Sequence, residues 1–341
     1  MRTARRRGVP RRVGNTALLA VLLVALLAGL GSWLVAVPAQ RGVAVAHGAA
    51  GLAVLALVRC KAPVVRSGLR RARAGRWASV LLGVLTLLAL LSGVLHSTGL
   101  LVWAPGGQRT MWWHVAAGLV LVPLLLWHAR ARWQRPRAED LDRRLLLRAG
   151  GVVAAAGAGW LALETVTRRA GLPGAARRAT GSYLQDLPQP TIWLADTVPA
   201  RTSAQGWELL VRDGHGERVL GLADLASLPR TDVRAVIDCT SGWASEQEWS
   251  GVVLSDLVRA GGPGRSVVVT SVTGYSRRFA VEDLDGLLLA DRMAGEPLLR
   301  QLGAPVRLVA PGLRGFWWVK WVASVEVEDA PSWWQPPLPL R

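Results

Sequence analysis

Cysteine, lysine, tyrosine and phenylalanine are scarce in this chain of 341 residues, which contains two cysteines, two tyrosines and two phenylalanines. The cysteines, Cys60 and Cys239, are too few for more than one disulfide. Lysine is limited to Lys61 and Lys320, so arginine carries almost all of the net charge of +18. A strongly basic chain ordinarily favours nucleic-acid binding. Here the arginines of the first half lie in short loops beside apolar segments, which favours a membrane and argues against nucleic acid.

Long apolar runs are confined to the first half, whereas residues 180–341 have the composition of a soluble domain. A helix needs roughly 17–25 apolar residues to cross a bilayer. Five stretches are candidates, namely 15–37, 43–58, 78–103, 111–129 and 145–163. We predict an all-α membrane bundle of five transmembrane helices, with four helices within residues 15–133 and a fifth within residues 140–169.

Loop charge predicts which side of the membrane each loop occupies. Arginine clusters lie before the first helix, between the second and third, and between the fourth and fifth, while the other two loops hold only Arg41 and Arg109. Cytoplasmic loops hold the excess of Lys and Arg. Residues 1–14 are therefore predicted to be cytoplasmic. We expect a multi-pass protein of the cytoplasmic membrane whose residues after 170 are extracytoplasmic.

The membrane half contains an internal repeat that is marked by histidines. Four of the five histidines fall in this half: His47, His96, His114 and His128. Ionisable side chains within membrane helices are costly and usually functional. HGAAGLAVLAL begins at His47 and HVAAGLVLVPLLL at His114, and LLAG at 26–29 echoes LLSG at 90–93. Two helical hairpins are thus predicted to be duplicated, each with a histidine near the outer end of its second helix.

The repeat suggests a haem site. Gly51 and Gly118 follow the two histidines by four residues and share their helical faces, where a small residue lets a flat macrocycle approach. Imidazole is a standard axial ligand of haem iron, and bundle cores commonly hold such cofactors. We predict one b-type haem held between the second and fourth helices by His47 and His114. Histidines hydrogen-bonded across helices, with glycines serving only for packing, are the alternative.

The other two membrane histidines have less definite roles. His96 lies roughly 10 Å below the outer surface, where an alternative haem ligand, a propionate partner or part of a quinone site would fit. His128 follows His114 by fourteen residues, roughly 21 Å along the helix, which suits a second haem. Its repeat-related position falls near Cys60 and Lys61, so an interfacial role is the alternative. This half resembles membrane cytochrome b subunits, which pass electrons between quinone and an outer partner.

The segment that joins the two halves, DRRLLLRAGGVVAAAGAGW from Asp142 to Trp160, resembles a twin-arginine export signal with Arg143 and Arg144 as the pair. Such signals belong to proteins that are exported already folded, often around a cofactor. Ordinary positive flanking of a transmembrane helix is the alternative. Residues 170–189 are then predicted to be an exposed linker.

Residues 190–330 alternate strand-like and helix-like segments and predict a mixed α/β domain, followed by an irregular tail at 331–341. Strands are predicted at 207–214, 233–238, 266–272, 305–311 and 321–329. Helices are predicted at 221–229, 254–262 and 281–293.

Cys239 directly follows one predicted strand and precedes a Gly-punctuated loop. A disulfide with Cys60 is excluded by the predicted topology, because Cys60 falls at the cytoplasmic face. An odd cysteine in an exported domain calls for another explanation. From the residues alone, an inert buried thiol and a thiolate metal ligand both stay open.

The segment LLLADRMAGEPLLRQLGAPVRLVAPGLRGFWWVKWVASVEV, residues 287–327, carries a family resemblance. Together with the upstream blocks GLADLASLP, DCTSGW and WSGVVLSDLV, it resembles the molybdopterin domain of the sulfite oxidase fold over residues 180–329. The resemblance implies a molybdenum–molybdopterin cofactor and oxidoreductase activity. It implies that Cys239 is the thiolate ligand of molybdenum. It further implies pterin and phosphate contacts from Arg307, Trp318, Val319 and Lys320.

Two departures argue against sulfite as the substrate. Sulfite oxidases of this fold follow the ligand with a Gly-Asn-Arg-Arg type sequence, whereas Thr240, Ser241 and Gly242 follow Cys239 here. A histidine that precedes Gly-x-Pro in those enzymes is Leu302 here. The dimer-forming second domain also has no counterpart in these residues. Further candidates for the pocket or for proton transfer are Glu246, Glu248, Tyr275, Arg277 and Arg278.

The expected protein is a membrane-anchored molybdenum oxidoreductase fused to its own haem b unit and coupled to quinone. The nearest functional resemblance is to the periplasmic methionine sulfoxide reductase system, which favours reduction of a sulfoxide, as a small molecule or an oxidised protein side chain. Oxidation of a small substrate with electrons passed to quinone is the first alternative. A redox sensor or assembly protein is the second.

Overall fold

The computed structural model describes residues 11–34, 39–70, 76–103, 109–131, 143–189, 198–199, 206–258 and 266–336. The chain divides into two compact units, Met1–Gly181 and Ser182–Arg341. Most of the predicted cytoplasmic N-terminus, the side chains of Cys60, Lys61, Arg143 and Arg144, and the last five residues of the predicted tail lie outside the described part.

The first unit is helical. Its helices are α1 Arg11–Leu34, α2 Gln40–Arg70, α3 Arg76–Thr98, α4 Thr110–Ala131 and α5 Arg143–Arg169. Each contains a segment of 20 to 23 residues that is long and apolar enough to cross a membrane. The five predicted helices are therefore confirmed as long apolar helices, and α2 extends well beyond the apolar stretch 43–58 on which its prediction rested.

The helices of the first unit pair as two hairpins. α1 packs against α2, α3 packs against α4, and α5 packs mainly against α2. The approach of α5 depends on Gly48, where an added Cβ would lie 2.3 Å from the ring of Trp160. The hairpin pairing agrees with the duplication that the sequence indicates.

The first part of the segment predicted as an exposed linker, residues 170–189, is packed against the helices. Gly174 lies so close to α3 that an added Cβ would be 2.2 Å from the carbonyl oxygen of Ser97. Arg177 forms an ion pair with Glu164 and donates a hydrogen bond of 2.9 Å to the carbonyl of Gly174. Glycine is common both in flexible linkers and where two backbones approach closely. The sequence therefore did not separate a linker from the packed segment that the structure shows.

The second unit contains two sheets. The first comprises β1 Tyr183–Leu184, β4 Thr231–Asp238, β5 Trp243–Val253, β8 Leu288–Met293, β9 Glu296–Pro297 and β10 Arg307–Val309. The second comprises β2 Leu209–Asp213, β3 Gly216–Leu220, β6 Ser266–Ser271, β7 Ser276–Ala280 and β11 Val322–Glu328, in the order β3-β2-β11-β6-β7. Helices are short: α6 Leu222–Ala226 and α7 Leu254–Leu257.

One hydrophobic core unites the second unit. It contains Leu209, Val211 and Val325 from the second sheet with Leu288 and Leu308 from the first, all at most 2% exposed. These strands are rich in β-branched and leucine residues whose alternate side chains meet between layers.

Two predicted helices of this unit are wrong or much shorter. Residues 281–293 form a 3-10 turn, Val281–Gly286, followed by strand β8. β8 pairs with β5 on one side and β10 on the other. A strand buried on both faces is a continuous apolar run, which periodicity does not separate from a helix. In the helix predicted at 254–262, the single turn α7 ends at Leu257 and Val258 is extended, while residues 259–262 lie outside the described part.

The edge strand β7 is covered by the tail. The side-chain amide of Gln335 accepts a hydrogen bond of 3.1 Å from the backbone N–H of Arg278 and donates one of 2.9 Å to the carbonyl of Arg278. One side chain thereby occupies the place of a neighbouring strand along this part of the edge.

Candidate functional site

Cys239 stands where β4 ends, in the tight turn that leads into β5. Its backbone N–H donates to the carbonyl of Trp243 at 2.8 Å, and the N–H of Gly242 donates to the carbonyl of Cys239 at 3.2 Å. Gly242 adopts φ 92°, a left-handed conformation that favours glycine. The hydroxyl of Ser241 lies 3.2 Å from the sulfur of Cys239. The turn therefore fixes the thiol at the end of a paired hairpin.

A buried ion pair holds this turn from behind. Arg314 donates to a carboxylate oxygen of Asp238 at 2.5 Å, and both side chains are less than 10% exposed. Ser182 donates to the same oxygen at 2.7 Å, and Arg314 also reaches the carbonyl of Cys239 at 3.3 Å. Gly315 also packs against this turn, since a Cβ there would lie 3.2 Å from the Cα of Cys239. We call these four residues, Ser182, Asp238, Arg314 and Gly315, the clamp.

Sequence reasoning missed this clamp. Arg314 and Gly315 belong to the quoted block PGLRGFWW, but nothing in that block indicates a partner more than 70 residues upstream. The only available signal was that Asp238 directly precedes the cysteine at the end of a strand.

Arg307 lies on β10 and is 1% exposed. Its Nη1 donates to the carbonyl of Leu302 at 2.9 Å, and its guanidinium lies 5.1 Å from the ring centre of Trp249 and 5.5 Å from that of Trp318. Burial lowers the pKa of Arg307 to about 9, and the nearby charge of Cys239 offsets part of this effect. Within the described residues, its Nε and Nη2 atoms make no hydrogen bond.

Lys320 is the second cation near Cys239. Its ammonium donates to the carbonyl of Gln301 at 3.0 Å. Burial and then the charge of Arg307 lower the pKa of Lys320 to about 7, while the charge of Cys239 opposes the shift. Two cations thus share one region with a thiol, where an anion would relieve the repulsion between them.

The loop at residues 300–303 positions both cations through its carbonyl groups. The carbonyls of Gln301 and Leu302 accept from Lys320 and Arg307, and those of Arg300 and Gly303 accept from the indole and backbone N–H groups of Trp321. Gly303 adopts φ 117°, and a Cβ there would lie 3.0 Å from the Cβ of Arg307 and 3.2 Å from that of Lys320. A side chain at position 303 would therefore displace the chain segments that carry Arg307 and Lys320.

The donor set fits a molybdenum–pterin group. A thiol at a fixed turn can supply a soft thiolate ligand. A buried guanidinium with two N–H-bearing nitrogens available is suited to phosphate, and an ammonium adds a compact positive charge. When bound, the group would supply oxygen-atom transfer chemistry.

Trp318 and Val319, the other predicted pterin contacts, are buried. Trp318 is 3% exposed and its ring packs edge-on against Trp249 at 5.5 Å. The carbonyl of Val319 accepts from the N–H of Leu308 at 2.7 Å. The structure thus gives Trp318 a role in enclosing Arg307 and gives Val319 a role in pairing with β10.

The two glutamates after Cys239 lie away from the thiol along the hairpin. Glu246 pairs opposite Val236 and Glu248 opposite Arg234 in the β4–β5 register. At about 3.3 Å per residue, Glu248 is roughly 16 Å along the strand from the cysteine. Both glutamates are exposed, which favours solvated side chains over a role in proton transfer at the thiol.

The remaining candidates lie in and beside β7. The hydroxyl of Tyr275 donates to the carbonyl of Phe316 at 2.5 Å, and burial raises the pKa of Tyr275 to about 12. Arg277 stacks on the Tyr275 ring at 4.4 Å. Arg278 forms an ion pair with Glu328. Tyr275 and Arg277 therefore both contact Phe316, which directly follows Arg314 and Gly315 of the clamp. Arg278 instead forms an ion pair at the sheet edge.

In the helical unit, His47 and His114 meet. Each Nδ1 lies 2.8 Å from a backbone carbonyl of the preceding helix, that of Ala25 for His47 and that of Ala89 for His114. Their Nε2 atoms lie 3.4 Å apart. A carbonyl oxygen only accepts, so each Nδ1 carries a proton. In the neutral rings, both Nε2 atoms then present lone pairs to one another.

Two glycines that the sequence analysis did not single out, Gly29 and Gly93, lie against these rings. An added Cβ at Gly29 would lie 3.1 Å from the His47 ring, and one at Gly93 would lie 3.2 Å from the His114 ring. Nothing described lies within 4 Å of such a Cβ at Gly118. The repeated LLAG and LLSG segments therefore supply the close approach.

The other two histidines of the helical unit lie elsewhere. His96 is 3% exposed, and its Nε2 lies 2.7 Å from the carbonyl of Gly181. His128 lies in the last turn of α4, beside Trp127, whose ring stacks on that of Trp77 at 5.9 Å. The structure brings His47 and His114 together and directs His96 to a backbone carbonyl.

Residues 195–334 match the family model of the oxidoreductase molybdopterin binding domain. The match supports a molybdopterin-binding oxidoreductase domain of the sulfite oxidase type in this part of the chain. The match contains Cys239, Arg307 and Lys320, so the residues that converge in the structure all fall within it. The predicted cofactor class of the second unit is confirmed.

Relatives of known name cover part of the chain. The uncharacterized oxidoreductase YuiH of Bacillus subtilis is 27% identical over 125 residues, which are 34% of this chain and 63% of YuiH. Human mitochondrial sulfite oxidase is 28% identical over 152 residues, 34% of this chain and 28% of that enzyme. NADPH nitrate reductase of Aspergillus niger is 30% identical over 96 residues, 25% of this chain and 11% of that enzyme. The chain spans less than two thirds of each.

Among solved structures, the sulfane dehydrogenase SoxCD of Paracoccus pantotrophus is similar at 28% identity with a TM-score of 0.35. That similarity covers 38% of this chain and 39% of the SoxCD chain.

Proposed function

We propose that this protein is a membrane-anchored, molybdenum-dependent oxidoreductase that carries haem b in its helical unit and exchanges electrons with quinone. In the proposed topology, the second unit lies outside the cytoplasmic membrane. The preferred reaction is reduction of a sulfoxide-like substrate. The observation that carries the proposal is the grouping of Cys239 with the buried Arg307 and the half-buried Lys320 inside the match to the molybdopterin-binding oxidoreductase domain.

In this proposal, different residues of the second unit bind the metal and the pterin group. The sulfur of Cys239 is the metal ligand, and the turn and the Asp238–Arg314 pair hold its backbone in place. Arg307 directs Nε and Nη2 toward the anionic part of the pterin group, while its Nη1 stays bonded to Leu302. Lys320, bonded to the neighbouring carbonyl of Gln301, supplies a further positive charge.

Haem b in the helical unit is supported by the geometry of His47 and His114. Metal-bound histidines usually donate their second ring N–H to a carboxylate, backbone carbonyl or water, which fixes the tautomer. The Nε2 atoms of the two histidines lie 3.4 Å apart, so both would be available to hold a haem iron. A haem iron there would supply one-electron transfer.

Membrane anchoring and sidedness are supported by two independent features. Five helices each contain a segment able to span a bilayer. Their connecting loops alternate between many basic residues and one, and the basic loops are expected in the cytoplasm. The internal twin-arginine-like segment at the start of α5 is consistent with export of a folded, cofactor-bound second unit.

Reduction of a sulfoxide-like substrate is favoured by the sequence after the ligand. Thr240, Ser241 and Gly242 bring no cation to the turn, so this side of the site is suited to a neutral oxide better than to an anion such as sulfite. The second candidate, oxidation of a small substrate with electrons passed to quinone, is favoured by the similarity to mitochondrial sulfite oxidases.

The test uses the full chain purified from membranes in detergent. Molybdenum content and a reduced-minus-oxidised haem b spectrum are measured first, and both are expected. Reduced quinol analogue is then added, and haem reduction and its reoxidation by a panel of sulfoxides are followed optically. Reoxidation by a sulfoxide supports the proposal. Haem reduction by sulfite without quinol would support the second candidate, and a preparation free of molybdenum would overturn both.

A further inference from the structure

The hydroxyl of Ser241 is directed at the sulfur of Cys239. The two atoms lie 3.2 Å apart, and the residues are separated only by Thr240 within one tight turn. A thiol could in principle donate to the hydroxyl. A thiolate has no proton, so when the sulfur is a metal ligand the hydroxyl must be the donor and the sulfur the acceptor.

The turn holds Ser241 in this position independently of the hydroxyl. Hydrogen bonds between backbone groups of Cys239 and those of Gly242 and Trp243 close the turn. Ser182 and Arg314 fix the carbonyl of Cys239 from the other side. The side chain of Ser241 is half-buried, so water competes incompletely for its hydrogen bond.

A hydrogen bond to a ligand sulfur changes the electron density that the sulfur gives to its metal. Hydrogen bonds to the sulfurs are among the factors that set reduction potentials in metal–thiolate centres. A donor withdraws density from the sulfur and so stabilises the electron-rich, reduced form of the metal. The bond therefore raises the midpoint potential relative to the same centre without it.

We propose that Ser241 is a positioning residue that tunes the reduction potential of the molybdenum centre through a hydrogen bond to the sulfur of Cys239. The inference rests on the proposed function, because it takes Cys239 as the metal ligand. Ser241 belongs to the segment that differs from the Gly-Asn-Arg-Arg type sequence expected after the ligand in sulfite oxidases. A higher potential favours acceptance of electrons, as a centre that is reduced before acting on a sulfoxide requires.

The test compares Ser241→Ala with two controls in the full-length, molybdenum-loaded protein. Ser241→Thr keeps a hydroxyl at the same position. Thr240→Val removes the neighbouring hydroxyl, which makes no hydrogen bond within the described residues, while keeping the side-chain shape. Redox titration monitored by molybdenum EPR gives the midpoint potentials, and the exchangeable-proton coupling of the EPR-active state is compared before and after transfer into D2O.

The expected result is a downward shift of the molybdenum midpoint potential in Ser241→Ala, with loss of one exchangeable-proton coupling and with wild-type molybdenum content. Ser241→Thr should restore both properties, Thr240→Val should resemble the wild type, and the haem spectrum should be the same in all four proteins. An unchanged potential in fully loaded Ser241→Ala overturns the inference and leaves the proposed function standing. Loss of molybdenum from Ser241→Ala alone would make the bond structural and would also overturn it. A wild-type protein without molybdenum would instead defeat the proposed function.

Discussion

The Nε2 atoms of His47 and His114 face each other across 3.4 Å, while each Nδ1 is anchored to a carbonyl of a different helix. The arrangement is symmetric: His47 belongs to the α1–α2 hairpin and His114 to the α3–α4 hairpin. Two acceptor atoms so close together repel unless a proton or a metal lies between them. The pair is therefore suited to share a proton or to bind a metal ion.

Replacement of either histidine of this pair should abolish the main haem signal. His47→Ala and His114→Ala each remove one of two opposed nitrogens, so the expected loss in either variant is nearly complete. Reduced-minus-oxidised absorbance at equal protein concentration measures it. His128→Ala, on the same helix as His114, serves as the control and should keep the signal. A wild-type spectrum from His47→Ala would transfer the ligand role to His96 or His128.

Asp238→Ala should destabilise the second unit strongly. It removes the carboxylate that balances the buried guanidinium of Arg314, and breaking a buried pair typically costs about 3–5 kcal/mol. Urea unfolding followed by tryptophan fluorescence measures the change. Glu246→Ala is the matched control, since its ion pair with Arg234 is exposed and such pairs contribute about 0–1 kcal/mol. Equal, small effects of both substitutions would show that the clamp behind Cys239 is energetically unimportant.

The cofactor-free protein should become more stable as pH rises through the range set by Lys320. Burial lowers the pKa of Lys320 from 10.5 to about 7, so between these values the unfolded chain binds a proton that the folded one has released. Stability then rises with pH across about 7 to 10.5. Chemical denaturation at several pH values measures this slope, and Lys320→Met should reduce it. A slope that is the same in both proteins would mean that Lys320 keeps its ordinary pKa.

Gly303→Ala should destabilise the cation-bearing loop. The substitution forces a left-handed φ of 117° on alanine and places its Cβ against Arg307 and Lys320. Residues held in such regions cost of the order of 1–3 kcal/mol, and here the steric contact adds to that cost. Gly216→Ala has a nearly equal positive φ of 119° with open space around it, so the difference between the two variants isolates the contact. Equal losses of stability in the two variants would show that the steric contact with Arg307 and Lys320 has no effect. Urea midpoints and molybdenum content are the measurements.

Much of the fold followed from local patterns. Strands β4, β6 and β11 were predicted within a few residues because runs of β-branched residues are bounded by turn residues. The helices of the first unit followed from apolar length. Strand β8 was mistaken for a helix because its Leu-rich sequence carries no period when both faces are buried, and only the pairing with β5 and β10 decides its conformation.

The site divides in the same way. Cys239, Arg307 and Lys320 were predicted from blocks of sequence that accompany one another, and the structure brings them together. Asp238, Arg314 and Ser182 were not predicted, since their partnership depends on segments up to 76 residues apart. The histidine pair was predicted from the repeat. The close contacts of Gly29 and Gly93 with its rings were not predicted, because contact across a hairpin leaves no spacing in the sequence.

Gln335 has a consequence for how this chain can be handled. Its amide stands in for a missing neighbour along β7, so a protein cut at residue 330 would bare the N–H and carbonyl of Arg278 on an open strand. Bare strand edges recruit other chains. Shortened versions that end there are thus expected to self-associate, and a purification handle at the carboxyl end is best placed beyond this residue.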